Sequence, residues 1–178
     1  MLKWLKRNLV KLLIWRMSPR ELFDLAGSAR VLKPGDSARI KATLTFGRKT
    51  VAEIMVPADQ VKTVLSSETF GPVVLHGLHQ TGHRRFPVVN KDFSRILGIL
   101  YLDDLEVHGA EFKKVKEAMR AEILYVSGNE HLDHALSRFL HSPSSLFIVK
   151  NEQNRPVGVI SLEDVLASLL GRNIERKL

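Results

Sequence analysis

Two carboxylates, Asp104 and Asp164, stand 60 residues apart, each at the end of the same pattern of small residue, apolar run, hydroxyl, two spacers and acid. In the later copy Gly158-Val159-Ile160-Ser161 leads to Asp164; in the earlier one Gly98-Ile99-Leu100-Tyr101 leads to Asp104. An acid three residues past a strand end sits in the first turn of the following helix, where it can accept hydrogen bonds from both hydroxyls of a ribose. Charge-assisted bonds of this kind contribute about 1.5–3 kcal/mol each. The Ser161 hydroxyl and the first N–H groups of the helix, at the positive end of its dipole, would face a phosphate. Gly158 would leave the backbone open to a close approach. The constellation reads as a sugar-and-phosphate socket. The same S-x-x-D spacing is also that of a helix capping box, in which Ser161 and Asp164 satisfy only backbone N–H groups. Tyr101 replaces the serine in the earlier copy, and its bulk fills the space it would border. A second, degenerate site at Tyr101 and Asp104 follows, with one ligand per chain.

The elements that must position these acids repeat as well. Residues 86–105, FPVVNKDFSRILGILYLDDL, laid over 146–165, LFIVKNEQNRPVGVISLEDV, match Gly98 to Gly158, Leu102 to Leu162 and Asp104 to Asp164. The chain is two copies of one unit. From Thr50 the first copy reads as a short helix or strand VAEIMVP, a strand VKTVL, a helix over 67–80, strands RFPVV and RILGILY, and a helix from Leu102. The second reads as AEILYV, a helix over 129–141, strands LFIVK and PVGVIS around a turn at 151–154, and a helix over 162–170. Each unit is roughly βαββα, and runs such as ILGIL and VGVI lack alternation because both strand faces are buried. The fold class is α+β. The expected divisions are a basic amphipathic helix over 1–17, a helical adaptor over 18–49, repeats over 50–110 and 111–172, and a tail over 173–178.

With 178 residues, 44% of them hydrophobic, the chain can build one shared core. The absence of cysteine excludes disulfides, thiolate zinc sites and a cysteine nucleophile, and fits cytoplasmic exposure. The net charge of +8 is not spread evenly: residues 1–49 hold 12 Lys and Arg against 3 acids, and residues 50–178 hold 15 against 16. The repeats are near neutral, so a partner implied by basicity is a partner of the leader. In MLKWLKRNLVKLLIWRM, Leu2, Leu5, Leu9, Leu12 and Leu13 fall at helical spacing, with Lys3, Lys6, Arg7 and Lys11 largely opposite and Trp4 and Trp15 near the ends. Its longest apolar run, Leu12 to Trp15, is far short of the roughly 20 residues a span requires. Such a helix suits an anionic membrane surface, or packing on the body or on a partner helix; no nucleic acid is expected. Ser18-Pro19 opens the adaptor as N-cap and first helical residue, and Asp36 or Ser37 would cap a second helix through Leu44.

Other chemistry has little support. His76, His79 and His83 follow i, i+3, i+7 spacing on the expected helix, which can hold zinc, but no carboxylate or cysteine completes the set. No nucleophile elbow, P-loop, HExxH or paired-carboxylate signature is present, so the chain is not expected to be an enzyme.

The stretches KTVAEIMVP, GHRRFPVV with ILGILYLDDL, and VGVISLEDVLASLLG carry a family resemblance. Residues 50–171 resemble a tandem pair of cystathionine-β-synthase (CBS) domains, the Bateman module, and within it the cytosolic part of CorC, hemolysin-like and cyclin M (CNNM) divalent-cation transport proteins. The resemblance implies two repeats about a pseudo-twofold axis, a side-by-side homodimer, and an adenine nucleotide (ATP, ADP or AMP, with or without Mg2+) in the cleft between repeats. It assigns ribose contact to Asp164. It also places Thr50, His83 and Arg85 on positions that cyclin M relatives use for ATP, with His83 stacking on adenine and Arg85 meeting phosphate. The expected role is regulation of a membrane transport domain for Mg2+ or another divalent cation, at the inner face of the plasma membrane; the alternative is a ligand-free dimerisation scaffold. The chain departs from the family's pattern at Ala58, at Asp103 and in the turn Lys150-Asn151-Glu152-Gln153-Asn154, which leaves the phosphate count open.

Overall fold

The computed structural model describes residues 33–108 and 114–172, with Met17, Ser18, Glu21, Asp24 and Leu25 ahead of them. The basic helix expected over 1–17 and the tail over 173–178 lie outside the described residues, apart from Met17. The described helices are α1 (Pro34–Phe46), α2 (Pro72–Gln80), α3 (Leu102–His108), α4 (Val115–Ala118), α5 (Leu132–Leu140) and α6 (Leu162–Leu169). The strands are β1 (Val56–Pro57), β2 (Val64–Leu65), β3 (Arg85–Val89), β4 (Ile96–Tyr101), β5 (Tyr125–Ser127), β6 (Leu146–Lys150) and β7 (Pro156–Ser161). They form a three-stranded sheet, β2-β3-β4, and a four-stranded sheet, β1-β7-β6-β5. Within each, the first strand of the repeat runs parallel to the second, and the second and third form an antiparallel hairpin.

Strand periodicity divides the core. Along β6, Phe147 and Val149 face a cluster with Leu132, Ala135 and Phe139 of α5 and Val165 of α6. The alternate residues, Leu146 and Ile148, join Val159 against Val89, Ile96 and Ile99 of the other sheet. In β3 and β4, Phe86, Val88 and Leu100 point the other way, toward Phe70 and the helices α2 and α3. Each sheet is therefore covered by helices on one face and by its counterpart on the other, and a period of two assigns the buried strand residues to layers except at Ile96, which joins the layer of Ile99 across the register shift between Val88 and Val89. The turn between β6 and β7 closes with the Asn154 N–H on Asn151 O at 2.9 Å. Asn154 there takes φ 61°, a left-handed conformation that asparagine tolerates better than most residues.

The repeats exchange their lead-in segments. Val51 N–H donates to Glu130 O and Ala52 N–H to Gly128 O, after which β1 pairs antiparallel with β7, so the start of the first repeat completes the sheet of the second. Reciprocally, Val115 N–H donates to Glu68 O and Lys116 N–H to Ser66 O, and Arg120 then forms an antiparallel bridge with Ile99 of β4. Val51 and Val115, each 0% exposed, anchor the two crossings. The crossings come so close that glycine is required beneath them. A Cβ on Gly158 would lie 2.3 Å from Val56 O, and one on Gly98 would lie 2.5 Å from Arg120 O.

Several elements differ from sequence expectation for the same reason. The helices expected from 67 and 129 begin at Pro72 and Leu132, because the carbonyls of Ser66, Glu68, Gly128 and Glu130 are committed to the crossings. VAEIMVP becomes a 3-10 turn, Val51–Glu53, followed by the two residues of β1. Gly158 is not open to a ligand; the group it admits is the chain's own β1. In the adaptor, Ser18 caps as expected, its Oγ accepting from Glu21 N–H at 3.3 Å. In the second adaptor helix Lys33, not Asp36 or Ser37, occupies the N-cap position, without a side-chain capping bond; Pro34 opens the helix and it extends to Phe46.

Helix α1 docks on α6. Thr43 Oγ1 donates to Leu169 O at 3.2 Å, Lys49 Nζ to Ser168 Oγ at 3.3 Å, and Gly171, at φ +63°, turns the chain away beside Ala38 and Ala42.

Gly158→Ala and Gly98→Ala should each lower stability by about 1–3 kcal/mol, because the added methyl group meets backbone that is held in a sheet. Gly77→Ala, inside α2 with nothing within 4 Å of the new Cβ, should raise it by about 0.5–1 kcal/mol. Urea unfolding midpoints of the three variants check the contrast.

Candidate functional site

Strand β7 ends at Ser161, whose extended backbone (φ −106°, ψ 161°) gives way directly to α6. A capping box closes over this junction. Ser161 N–H donates to Asp164 Oδ2 at 2.9 Å, Ser161 Oγ to the same oxygen at 2.7 Å, and Asp164 N–H to Ser161 Oγ at 3.1 Å. Leu162 N–H donates to Ser145 O at 3.0 Å. The serine hydroxyl and two of the first three helix N–H groups are thus satisfied within the chain, contrary to the expectation that they stand ready for a phosphate. Both carboxylate bonds of the box run through Oδ2, so Oδ1 takes no part in it, and Ser161 and Asp164 are half-buried.

The first repeat supplies the opposite wall. Arg85, the first residue of β3, reaches α6 with Nη1 3.6 Å from Glu163 Oε1. That separation is long for a hydrogen bond, and Glu163 is mostly exposed, so the pair is weakly held. Arg85 Nε is buried without a hydrogen-bond partner, an arrangement that costs free energy. Arg85 and the Ser161–Asp164 junction are therefore brought together across the repeats. Thr50 and His83 make their contacts elsewhere. Thr50 N–H and Oγ1 both donate to Glu53 Oε1, at 2.9 and 3.2 Å, and its backbone bridges to His131. His83 is exposed beyond the end of α2, its ring edge-on to Phe86 at 6.2 Å, and its N–H donates to Thr81 Oγ1. Arg84 pairs with Asp103.

The equivalent junction in the first repeat, between β4 and α3, is built differently. Arg120 holds Asp104 with two parallel bonds, Nε to Oδ2 at 2.8 Å and Nη2 to Oδ1 at 2.7 Å. Its guanidinium also lies over the Tyr101 ring, with Cζ 4.2 Å from the ring centre. Hydrogen bonding to Asp104 is the largest influence on Arg120 and holds its pKa above the ordinary guanidinium value, against an opposing effect of burial. The Tyr101 hydroxyl lies 3.3 Å from Ser144 Oγ, across the repeat boundary.

The CBS domain family model matches residues 51–106 and 115–171. The chain belongs to the CBS-domain family. It is 26% identical over 135 residues to the magnesium and cobalt efflux protein CorC of Salmonella typhimurium, covering 74% of this chain and 46% of CorC. A UPF0053 protein of Mycobacterium tuberculosis is 27% identical over 158 residues, which is 85% of this chain and 36% of that protein. The chain thus spans less than half the length of these relatives. Among solved structures it resembles the CBS domain of the bacterial CNNM/CorC family Mg2+ transporter in complex with ATP, with a TM-score of 0.68, 22% identity, and coverage of 79% of this chain and 100% of that one. That likeness establishes the fold.

The two CBS repeats thus differ at their equivalent junctions. In the second, the crossing segment places Val56 beside Gly158; in the first, it places Arg120 beside Ile99 and hence over Asp104. Arg120 escaped the sequence reading, yet a signal was there: aligning Met119 with Met55 sets a cation where the other copy has valine. The three histidines do not share a helix, since α2 ends at Gln80 and His83 follows the Gly82 turn. His79 Nδ1 lies 2.7 Å from Leu75 O, and His76 Nε2 2.8 Å from Gln80 Nε2. No helix among the described residues is long and apolar enough to cross a membrane.

Ser161→Ala removes the hydroxyl of the capping box and should cost about 1 kcal/mol of stability, most of which Ser161→Thr retains. Chemical denaturation of the two variants distinguishes them.

Proposed function

We propose that this CBS pair is a regulatory module that binds one adenine nucleotide at the Ser161–Asp164 junction and conveys occupancy to a membrane transport domain for Mg2+ or another divalent cation. The observation that carries the reading is the inequality of the two acids: Asp104 is clamped by Arg120, whereas Asp164 Oδ1 takes no part in the capping box, and Arg85, which reaches the neighbouring Glu163 of α6, has Nε buried without an acceptor. A ribose diol meets Asp164, and Arg85 meets phosphate oxygens with its planar fork. Thr50 and His83, whose contacts lie elsewhere, are carried in this reading by the family resemblance alone, with exposed His83 the group to stack on the base. AMP, ADP and ATP all fit this chemistry, and Mg2+ accompanies the longer phosphates. The names of the relatives support the transport partner, and the ATP complex of the CNNM/CorC neighbour supports the ligand class.

Transmission runs along α6. Its N-terminus carries Asp164, and its C-terminal turn holds α1 through Thr43, Lys49 and Gly171. A ligand that favours one packing of the repeats biases α1 by the difference in its affinity for the two packings, and by no more than that. The module acts as a homodimer at the inner, cytoplasmic face of the membrane, with residues 1–17 at the surface or on the transport domain.

The closed capping box favours a second reading, a ligand-free scaffold in which Ser161 and Asp164 serve only α6. Calorimetric titration with AMP, ADP and ATP, with and without Mg2+, separates the two. The sensor predicts saturable heat for at least one nucleotide, weakened about tenfold or more by Asp164→Ala through loss of a charge-assisted bond of about 1.5–3 kcal/mol. Arg85→Ala should weaken ATP more than adenosine. Silence for all three nucleotides leaves the scaffold.

A further inference from the structure

The chain contains no cysteine and four methionines, so thioethers are its only sulfur groups. Two of them, Met55 and Met119, occupy equivalent places in the crossings. Each follows a buried anchor by four residues and donates its N–H to it, Met55 to Val51 O at 2.9 Å and Met119 to Val115 O at 3.0 Å. Each precedes a residue that meets the opposite repeat, Val56 on β7 and Arg120 on β4. Each also lays its sulfur on a glycine: Met55 Sδ is 3.1 Å from the Cβ position of Gly158, and Met119 Sδ is 2.9 Å from that of Gly98. We infer that Met55 and Met119 are a matched pair of oxidation sites, at which conversion to the sulfoxide loosens the joint between the repeats. The inference stands apart from nucleotide binding.

Both residues are half-buried, so a small oxidant reaches them although they pack on the core. Met55 lies against the cluster that includes Val126, Leu132 and Phe147, and Met119 against the one that includes Phe86, Leu100 and Val115. A thioether suits such a seat, being apolar, polarizable and flexible. The oxidant class is a peroxide. The sulfur lone pair attacks one peroxide oxygen, the O–O bond breaks, and the other oxygen leaves as water after proton transfer; sulfur loses two electrons and the peroxide gains them. The crossing carbonyls, Val56 O and Arg120 O, stand 2.3 and 2.5 Å from the same two Cβ positions, so the added oxygen has no room on the glycine side. On the other side it would enter an apolar cluster, where a polar group is costly. The oxidised side chain is therefore driven outward, and the crossing loses its packing. A dithiol, acting through methionine sulfoxide reductases, returns the two electrons and removes the oxygen as water.

The test exposes the folded full chain to hydrogen peroxide and weighs its tryptic peptides, with the urea-unfolded chain marking complete oxidation. One added oxygen is expected at Met55 and one at Met119. The urea midpoint of the oxidised protein should fall by about 0.5 M or more. The two reductases, one for each sulfoxide epimer, should restore it with dithiothreitol. Met55→Leu/Met119→Leu, which nearly conserves volume, should hold its own midpoint through the same treatment. If that variant unfolds, each single variant should lose part of the sensitivity. A folded wild-type chain that leaves Met55 or Met119 unoxidised, under peroxide that oxidises the unfolded chain fully, overturns the inference. So does oxidation of both with an unchanged midpoint, or an equal fall in the leucine variant.

Discussion

The mutual crossing of the lead-in segments is the constraint on which the rest of this molecule depends. The first repeat gives β1 to the sheet of the second, the second returns a bridge from Arg120 to Ile99, and the interface between repeats is made partly of backbone hydrogen bonds rather than side chains alone. Such bonds are directional and fix register. They place Val56 against Val159, and Arg120 against Ile99, and through these the ends of β4 and β7, the starts of α3 and α6, and Arg85 all meet along one boundary. The two glycines under the crossings are the sequence's concession to that closeness.

A nearly symmetric frame then carries unlike chemistry. The same acid at the same helix position is held by two guanidinium bonds in one repeat and by a capping box in the other, and two differences accompany this, arginine against valine in the crossing segment and tyrosine against serine at the strand end. Burial works in the same direction on the second-repeat side: a guanidinium nitrogen without an acceptor is tolerable only where another stabilising interaction offsets it, or where a ligand supplies the acceptor in the working state. The capping box fixes Asp164 through Oδ2 and leaves Oδ1 outside it.

Much of this was legible in the sequence. The strands β3, β4, β6 and β7 stand out as apolar runs doubled at a fixed interval, and the Ser161–Asp164 spacing announced both the helix start and the acid. What could not be read was long-range. The polar openings Ser66-Ser67-Glu68 and Ser127-Gly128-Asn129 look like helix caps locally, but carbonyls in and beside them are taken by the distant Val115, Lys116, Val51 and Ala52, so the helices start later. Gly158 read as room for a ligand because nothing local shows that β1 fills it. Arg120 went unread because its partners, Asp104 and Tyr101, are reached only after the chain has crossed to the other repeat.

The most direct test is a crystal structure of the chain grown with ATP. The expected result is a nucleotide at the boundary of the repeats with its ribose on Asp164 and its phosphates toward Arg85, while Arg120 still grips Asp104. A nucleotide seated on Asp104 with Arg120 displaced, or one bound away from Asp164, would contradict it.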